Sequence, residues 1–438
     1  MSLDEYPLLL GTAKTDITPK VPVPLAGFAG RSGPFQQVKR RLYARMLVFR
    51  QQSGDGGEAK QAALVSADLL FWGSDRLPAI RRTLKDRWGF EADEIILHAT
   101  HTHSGPQAAG GLHPALGTVD EKYIRRLEQA LYEGIEQALG NMEPVTAERG
   151  LGACDFNIHR RVVVNGKAVT GPNENGPVDR DVNVIRFRNA EGRTKAILVH
   201  YTCHPTVSGE NNVSSEFPGV AMERIEEELD DQAVSAYLQG CCGDVRPNLV
   251  LDGAFYRGGN REVHQLGLKL ADEVLAVLHK PMQPLTGFRL QTGRTAFPLP
   301  LKERPGLEQL EKTRGQDDVI GKWSRLLLEH PERITSPVLF EMSMLRLSGQ
   351  LAFLAMNGEV VVEYGLMLKR KTGGTVLPVP YSNGIVGYIP TARQVDEGGY
   401  EGRDSFVYFG LPAPFDRSLE ERITGEMEKM MEQWGNRA

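Results

Sequence analysis

Strand-like and helix-like apolar patterns alternate through the first 280 residues of this 438-residue chain. Short runs of aliphatic residues are followed by longer segments whose apolar positions recur at helical spacing. Strands that alternate with helices are typical of α/β domains, in which helices cover the faces of a sheet. The predicted strands are 44–49, 61–68, 94–103, 196–202 and 233–238, and the predicted helices are 74–88, 120–139, 219–229 and 263–278. We therefore expect an α/β fold with mixed β-sheets flanked by helices.

The pattern changes near residue 281, where prolines begin to interrupt short strand-like runs. A charged, helix-like stretch over 306–330 is the candidate insertion, and 339–356 has the alternation of a hairpin. No convincing domain boundary separates the two halves. We expect a single domain over 1–438, with an α/β part over 1–280 and a β-rich part over 281–438 that carries the helical insertion.

Composition excludes several classes of protein. A hydrophobic fraction of 41% and a net charge of −5 describe an ordinary globular chain, and the weak negative charge argues against a nucleic-acid partner. No apolar stretch reaches the roughly 18 residues of a membrane span. The first residues lack a signal-peptide pattern, and the 4 cysteines lack the paired spacing of a disulfide or zinc–thiolate framework. We expect a cytoplasmic, reduced protein whose oligomeric state stays open.

The most informative motif is His101-Thr-His103-Ser-Gly-Pro, at the end of the apolar run that begins near residue 94. Side chains alternate along a strand, so His101 and His103 are predicted on one face and His98 on the other. Two imidazoles on one face beside a loop indicate a metal site or an acid–base site. The alternative is a pair of hydrogen-bonded histidines in a half-buried strand.

Other polar residues follow apolar strands in the same way. His204 precedes Pro205 at the end of one strand, and Glu359 follows the apolar run 351–356 and a glycine. A carboxylate is costly to bury there unless it is paired or binds a metal. The alternatives are a packed histidine before a turn and a carboxylate at a helix N-terminus.

The segment 239–248, Gln-Gly-Cys-Cys-Gly-Asp-Val-Arg-Pro-Asn, combines glycines with charge. Asp244 could orient a histidine, and Arg246 could clamp a carboxylate or phosphate through two parallel hydrogen bonds. The alternative is a glycine-rich turn with a surface ion pair. Asn383, Tyr388 and Tyr400 lie in turn-rich segments, where packing is the default interpretation of an aromatic ring.

Taken together, these segments resemble the N-terminal catalytic domain of the neutral/alkaline non-lysosomal ceramidase family. The matching segments are Gly11-Thr-Ala-Lys-Thr-Asp-Ile-Thr-Pro, Gly27-Phe-Ala, Leu64-Val-Ser-Ala-Asp, Ala99-Thr-His-Thr-His-Ser-Gly-Pro, Val178-Asp-Arg-Asp-Val-Asn-Val-Ile-Arg-Phe, His204-Pro-Thr, Gly243-Asp-Val-Arg-Pro-Asn, Gly358-Glu and Tyr400-Glu-Gly. Their combination in this order is specific, although no single segment is.

The resemblance implies a Zn²⁺ site at the ends of strands and assigns roles to residues of this chain. The implied metal ligands are His101, His204, Glu359 and Tyr388, with one coordination position open for water. The implied catalytic residues are His103 as a proton carrier that does not bind the metal, Arg160 as a substrate contact, and Tyr400 beside the reacting carbonyl. We assign substrate binding to Arg246, Asp244 and Asn383.

The activity implied is hydrolysis of an amide (N-acyl) bond in a small or lipid-like substrate by metal-activated water. The family carries a serine where this chain has Arg246, which favours a polar or anionic substrate such as an N-acylated sugar or amino acid. The family's immunoglobulin-like C-terminal domain has no counterpart here, which fits the expected cytoplasmic location. A metal- or ligand-binding protein without catalysis remains the alternative from another class, and manganese or iron could replace zinc.

Overall fold

A computed structural model describes residues 7–52, 59–230 and 233–435. Apolar alternation and buried apolar runs produce the strands that the sequence predicts, and the fold adds many shorter ones. In chain order the strands are β1 (Leu9–Asp16), β2 (Tyr43–Gln51), β3 (Lys60–Ala67), β4 (Ile95–Ala99), β5 (Glu143–Pro144), β6 (Thr146–Ala153), β7 (Asn157–Val164), β8 (Lys167–Asn173), β9 (Asp181–Arg188), β10 (Thr194–Tyr201), β11 (Val234–Gln239), β12 (Val245–Pro247), β13 (Val250–Leu251), β14 (Ala254–Phe255), β15 (Gln283–Leu285), β16 (Phe288–Leu299), β17 (Val338–Ser348), β18 (Leu351–Met356), β19 (Glu359–Val360), β20 (Val376–Val379) and β21 (Tyr388–Ile389).

Helices occupy the four segments in which apolar residues recur at helical spacing, and several others. In chain order they are α1 (Leu77–Trp88), α2 (Glu121–Gly140), α3 (Glu216–Glu228), α4 (Asn260–Leu278), α5 (Leu307–Thr313), α6 (Val319–Glu329), α7 (Glu332–Thr335), α8 (Val362–Lys371), α9 (Ala392–Glu397), α10 (Gly399–Gly402) and α11 (Leu419–Gly435), with short 3₁₀ turns at Ala92–Glu94, Pro114–Leu116 and Asp404–Phe409. Helix α2 shows how they begin, because the Asp120 side chain accepts a hydrogen bond from the Tyr123 N–H at 2.8 Å. No helix of the described ranges combines the length and apolar character needed to cross a bilayer.

Three sheets form the body of the fold. The first has the strand order β4-β3-β2-β1-β5, the second β11-β10-β9-β6-β15, and the third β16-β17-β18-β20. Each mixes antiparallel pairs with one parallel pair: β3 with β4, β10 with β11, and β18 with β20. Helices α1, α3 and α8 connect those parallel pairs, as parallel strands require a crossover. The predicted mixed α/β architecture is therefore confirmed.

The three sheets share one buried apolar cluster. Leu47 and Phe49 from the first sheet contact Phe187 and Leu198 from the second and Phe353 from the third. The Phe49 and Phe187 rings lie 5.6 Å apart between centroids. Since the sheets share a core, the strand ends that emerge from it are held at fixed relative positions, which a precise site requires.

The structure also corrects the sequence analysis in places. Strand β4 ends at Ala99 rather than at residue 103, so His101 and His103 lie in a loop. The helix-like stretch 306–330 forms the two helices α5 and α6, and the predicted hairpin over 339–356 is formed by β17 and β18. The antiparallel β7 and β8 hairpin escaped the strand predictions, although Asn165-Gly166 at its turn is a strong hairpin signal. The division at residue 280 stays a prediction.

Candidate metal centre

His101 is placed by the loop that follows β4. Its backbone takes φ of 68°, a left-handed conformation that is uncommon outside glycine and that turns the side chain inward. The ring stacks on Tyr381 with centroids 4.1 Å apart, and Nδ1 donates a hydrogen bond to the Leu70 carbonyl at 3.1 Å. A carbonyl can only accept, so this bond fixes the proton on Nδ1 and leaves the Nε2 lone pair free.

His204 is placed by the loop that follows β10. Its N–H donates to the Val245 carbonyl at 3.1 Å, which ties the loop to β12. Its Nδ1 donates to the Cys242 carbonyl at 2.6 Å, so Nε2 is again the free nitrogen. Burial lowers the pKa of His204 to about 4, with Glu359 opposing the shift, and the imidazole is therefore neutral at pH 7.

The free nitrogens of these histidines converge on one point. His101 Nε2 lies 2.9 Å from His204 Nε2 and 3.2 Å from His103 Nε2. The three side chains are buried and form the group of possible metal ligands within the described residues. When the protons of His101 and His204 are on Nδ1, the lone pairs of the two Nε2 atoms point at each other. This arrangement is repulsive unless a cation lies between the two nitrogens.

His103 is part of this group but is held differently. Its Nδ1 is buried without a hydrogen-bond partner, and its ring packs on Phe28 with centroids 4.8 Å apart. The Arg31 guanidinium donates to the His103 carbonyl. Gly27 approaches so closely that a Cβ there would lie 2.5 Å from His103 Nδ1. The geometry places His103 at the centre and leaves its predicted role as a proton carrier that does not bind metal a prediction.

Glu359 and Tyr388 reach the centre through a two-stranded sheet. Strands β19 and β21 are parallel, and their register places Glu359 opposite Tyr388. Glu359 Oε2 lies 3.2 Å from His101 Nε2 and 3.4 Å from His204 Nε2, yet this buried oxygen makes no hydrogen bond of good geometry. Burial raises the pKa of the Glu359 carboxyl, whereas the neighbouring His101 and His204 lower it, and the net shift is to below the usual value. An anionic oxygen thus joins the free nitrogens.

Arg160 connects this group to its surroundings. It donates to the Tyr388 hydroxyl at 3.1 Å and to the Glu401 carboxylate at 2.7 Å. The rings of Tyr388 and Tyr400 lie 5.3 Å apart in an edge-to-face arrangement. Burial and the Glu359 charge raise the pKa of Tyr388 well above 10, while Arg160 opposes the shift. Arg160, Tyr388 and Tyr400 therefore form one cluster, and the charge of Glu359 acts on both tyrosines.

Asp244 and Asn383 have structural contacts that occupy their polar atoms. Asp244 is fully buried and accepts hydrogen bonds from His159 at 3.1 Å and Gln394 at 2.8 Å. Asn383, with φ of 57°, pairs its side-chain amide with the edge of β4, where it accepts from the Leu97 N–H at 2.9 Å. Their assignment to substrate binding stays a prediction, and in the fold these bonds engage their polar atoms. Asp244 does orient a histidine, but that histidine is His159.

Two residues at the site escaped the sequence analysis. Tyr381 stacks on His101 and brings its hydroxyl within 3.1 Å of Cys242 Sγ. Glu401 accepts hydrogen bonds from Arg160 and from Arg161, each at 2.7 Å. Neither Tyr381 nor Glu401 belongs to a sequence motif with a recognisable spacing. Glu401 directly follows Tyr400, which the sequence analysis assigns to the site.

Comparison with known proteins agrees with this geometry. Residues 8–260, more than half of the chain, match the family described as neutral/alkaline non-lysosomal ceramidase, N-terminal. The neutral ceramidase of Pseudomonas aeruginosa is 24% identical over 262 residues, which cover 57% of this chain and 38% of that protein. Neutral ceramidase A of Dictyostelium discoideum is 25% identical over 267 residues, covering 56% and 36%. The matched regions thus span less than two fifths of these relatives.

Solved structures show the same fold over nearly the whole chain. The crystal structure of neutral ceramidase from Pseudomonas aeruginosa matches with a TM-score of 0.74 at 19% identity, covering 95% of this chain and 72% of that one. A structure of a ceramidase complexed with C2 matches with a TM-score of 0.74 at 18% identity, covering 95% and 73%. With its buried histidine cluster that could hold a metal, this chain belongs to the neutral/alkaline non-lysosomal ceramidase family.

Proposed function

We propose that this protein is a zinc-dependent hydrolase that cleaves an amide (N-acyl) bond with water. The observation that carries the proposal is the convergence of the free Nε2 atoms of His101 and His204 and the unpartnered Glu359 oxygen at one buried point. The relatives named neutral ceramidases supply the bond type, since a ceramide is an N-acyl compound.

The donor set suits Zn²⁺. Neutral imidazole nitrogens and a carboxylate are ordinary zinc ligands, and hydrogen bonds from the far nitrogens to carbonyls are the usual way in which a protein orients such histidines. His101, His204 and Glu359 would hold the ion, with the Tyr388 hydroxyl as the fourth ligand. Zn²⁺ bound there would polarise the amide carbonyl and lower the pKa of water.

The remaining side chains position the substrate and move the proton. His103 is neutral, because burial lowers its pKa well below 6.5, and its Nε2, which lies beside the other histidines, can accept a proton and return it to the leaving amine. Arg160 holds the Tyr388 hydroxyl in place and is itself fixed by Glu401. Tyr400, beside Tyr388, can donate its hydroxyl to the oxygen on which negative charge develops.

Metal analysis combined with an amide hydrolysis assay tests this proposal. We expect about one zinc per chain and hydrolysis of a short N-acylsphingosine in the wild type. His101→Asn, chosen because Asn tolerates the left-handed backbone, and His204→Ala should each lose most of the metal and the activity. His330→Ala is the matched control, since that side chain is 49% exposed and pairs with Glu332.

Two outcomes would contradict the proposal. Full zinc content and full activity in both variants would remove these histidines from the centre. Stable metal binding without hydrolysis of any N-acyl compound would instead describe a metal-binding protein that lacks this activity.

A further inference from the structure

Arg246 is a buried cation that has no ion-pair partner among the described residues. The residue is 8% exposed, and its Nε and one terminal nitrogen are buried without a hydrogen-bond partner in the described chain. The guanidinium carbon lies 4.2 Å from the centre of the Phe255 ring, which supports one face of the group and satisfies none of its N–H donors. Because unsatisfied donors on a buried charge are costly, the arrangement calls for a partner that the chain itself does not supply.

Backbone contacts place Arg246 directly beside the histidine centre. It lies in β12 opposite Ile158 of β7, and Ile158 is two residues before Arg160. The carbonyl of Val245, the preceding residue, accepts the hydrogen bond from the N–H of His204. Arg246 therefore follows a residue that is hydrogen-bonded to the proposed ligand His204, and its charge interacts with that of Arg160, which donates to the Tyr388 hydroxyl. A group bound to Arg246 would lie beside these residues.

Further positive charge surrounds this position. The Phe28 ring, which packs on His103, carries the guanidinium of Arg257 at 3.8 Å and that of Arg31 at 4.6 Å from its centre. Burial lowers the pKa of Arg246 to about 10, and the nearby charges of Arg257 and Arg160 add to the shift. Arg246, Arg257 and Arg31 thus concentrate positive charge beside His103, although the protein as a whole is acidic.

One carboxylate faces this cluster without neutralising Arg246. Glu216 acts electrostatically on Arg31 and Arg257. It is fully buried, and its oxygens accept hydrogen bonds from the N–H groups of Ser208 at 2.8 Å and Val207 at 3.3 Å. Burial raises its pKa to about 7, so a large part of it is protonated at neutral pH. Both of its oxygens are engaged by these backbone N–H groups, and among the described residues it forms no ion pair with Arg246.

We infer that the substrate of this centre carries an oxyanion, a carboxylate or a phosphate, close to the scissile amide, and that Arg246 binds it with Arg257 alongside. The planar guanidinium matches both oxyanions through paired hydrogen bonds. The hydrolytic part of this inference rests on the proposed function, whereas the anion site rests on Arg246 itself. Long neutral N-acyl compounds would lack this anchor and bind more weakly.

Two matched pairs of small amides test the inference on the wild-type protein. The first pair is N-hexanoylglycine and the neutral N-hexanoylpropylamine, and the second is N-hexanoyl-O-phosphoethanolamine and N-hexanoylethanolamine. Calorimetric affinity and kcat/KM are measured for each compound. We expect the charged member of at least one pair to be preferred about ten- to hundredfold, the effect typical of hydrogen bonds to a charged group. The pair that shows the preference identifies the carboxylate or the phosphate as the source.

Variants then assign the preference to the site. In Arg246→Gln the affinity for the charged compound should fall by about ten- to hundredfold, with KM rising and kcat changing little, while the neutral compound changes less than twofold. Arg257→Gln should show a smaller loss of the same kind. Because the Arg257 side chain is exposed, this variant should fold, and it tests the site even if the variant at the buried Arg246 does not fold. Arg193→Gln is the control, on the exposed turn at the far end of β10.

The outcomes separate this inference from the proposed function. Equal kcat/KM within both pairs, unchanged by either variant, would overturn the anion site while leaving a hydrolase. Binding of a charged compound that depends on Arg246, without turnover of any amide, would support the anion site and remove the hydrolase.

Discussion

Gly27→Ala tests whether the exact position of His103 matters for activity. Gly27 has φ of 104°, and a Cβ on it would lie 2.5 Å from Nδ1 and 2.7 Å from Cγ of the His103 ring. Ordinary contacts between such atoms are about 3.5 Å, so the ring must move by roughly 1 Å. The Phe28 ring, whose centroid lies 4.8 Å from that of His103, restricts that movement.

The size of the effect follows from two contributions. Holding alanine in a left-handed conformation costs about 1–2 kcal/mol of folding free energy. A displacement of about 1 Å in a group that transfers a proton can lower the rate by roughly a hundredfold. We therefore expect a modest loss in the free energy of unfolding, measured by urea titration, and a large loss in kcat/KM on a short N-acyl substrate.

Gly166→Ala separates strain from contact. Gly166 has φ of 75° in the turn between β7 and β8, and a Cβ there would meet nothing within 4 Å. It should show a similar loss of stability with full activity. If Gly27→Ala kept kcat/KM within about threefold of Gly166→Ala, the reasoning would be refuted. Zinc content adds a second result: metal retained with activity lost makes His103 a proton carrier, whereas metal lost makes it a ligand.

Three further predictions concern the surroundings of the centre. Glu401→Gln should lower the free energy of unfolding by about 3 kcal/mol in urea titrations, because Arg160 and Arg161 would lose their buried anionic partner. His200 is neutral in the fold, since burial lowers its pKa to about 3. The stability that the neutral imidazole contributes is present above pH 6.5 and is lost as the pH falls. His200→Gln should therefore reduce the difference in unfolding free energy between pH 7 and pH 5 by about 2 kcal/mol. Chelation of the metal should lower Tm and abolish hydrolysis, and added zinc should restore both; an unchanged Tm would argue against a metal that stabilises the centre.

Sequence patterns were sufficient for the elements with strong periodicity. Helices α1 to α4 and strands β2, β3, β10, β11 and β18 were predicted within a few residues, because a buried face imposes its period on the sequence. The short strands around the site were harder to predict. Strands β12, β19 and β21 have only two or three residues, and so no period can be detected. The cytoplasmic location stays a prediction.

The sequence by itself determined the chemical types at the centre and their association with strand ends, since motifs such as His101-Thr-His103 and Gly358-Glu359 are local. Tertiary structure decided how these residues meet. His101 and His103 share a site because a left-handed residue turns the loop, although strand alternation was expected to do so. Glu359 lies opposite Tyr388 because of the register of two short strands. Arg246 has no ion-pair partner among the described residues because the chain segments that pack around it supply no free carboxylate. Contacts between residues far apart in the chain depend on the whole fold, and no local spacing encodes them.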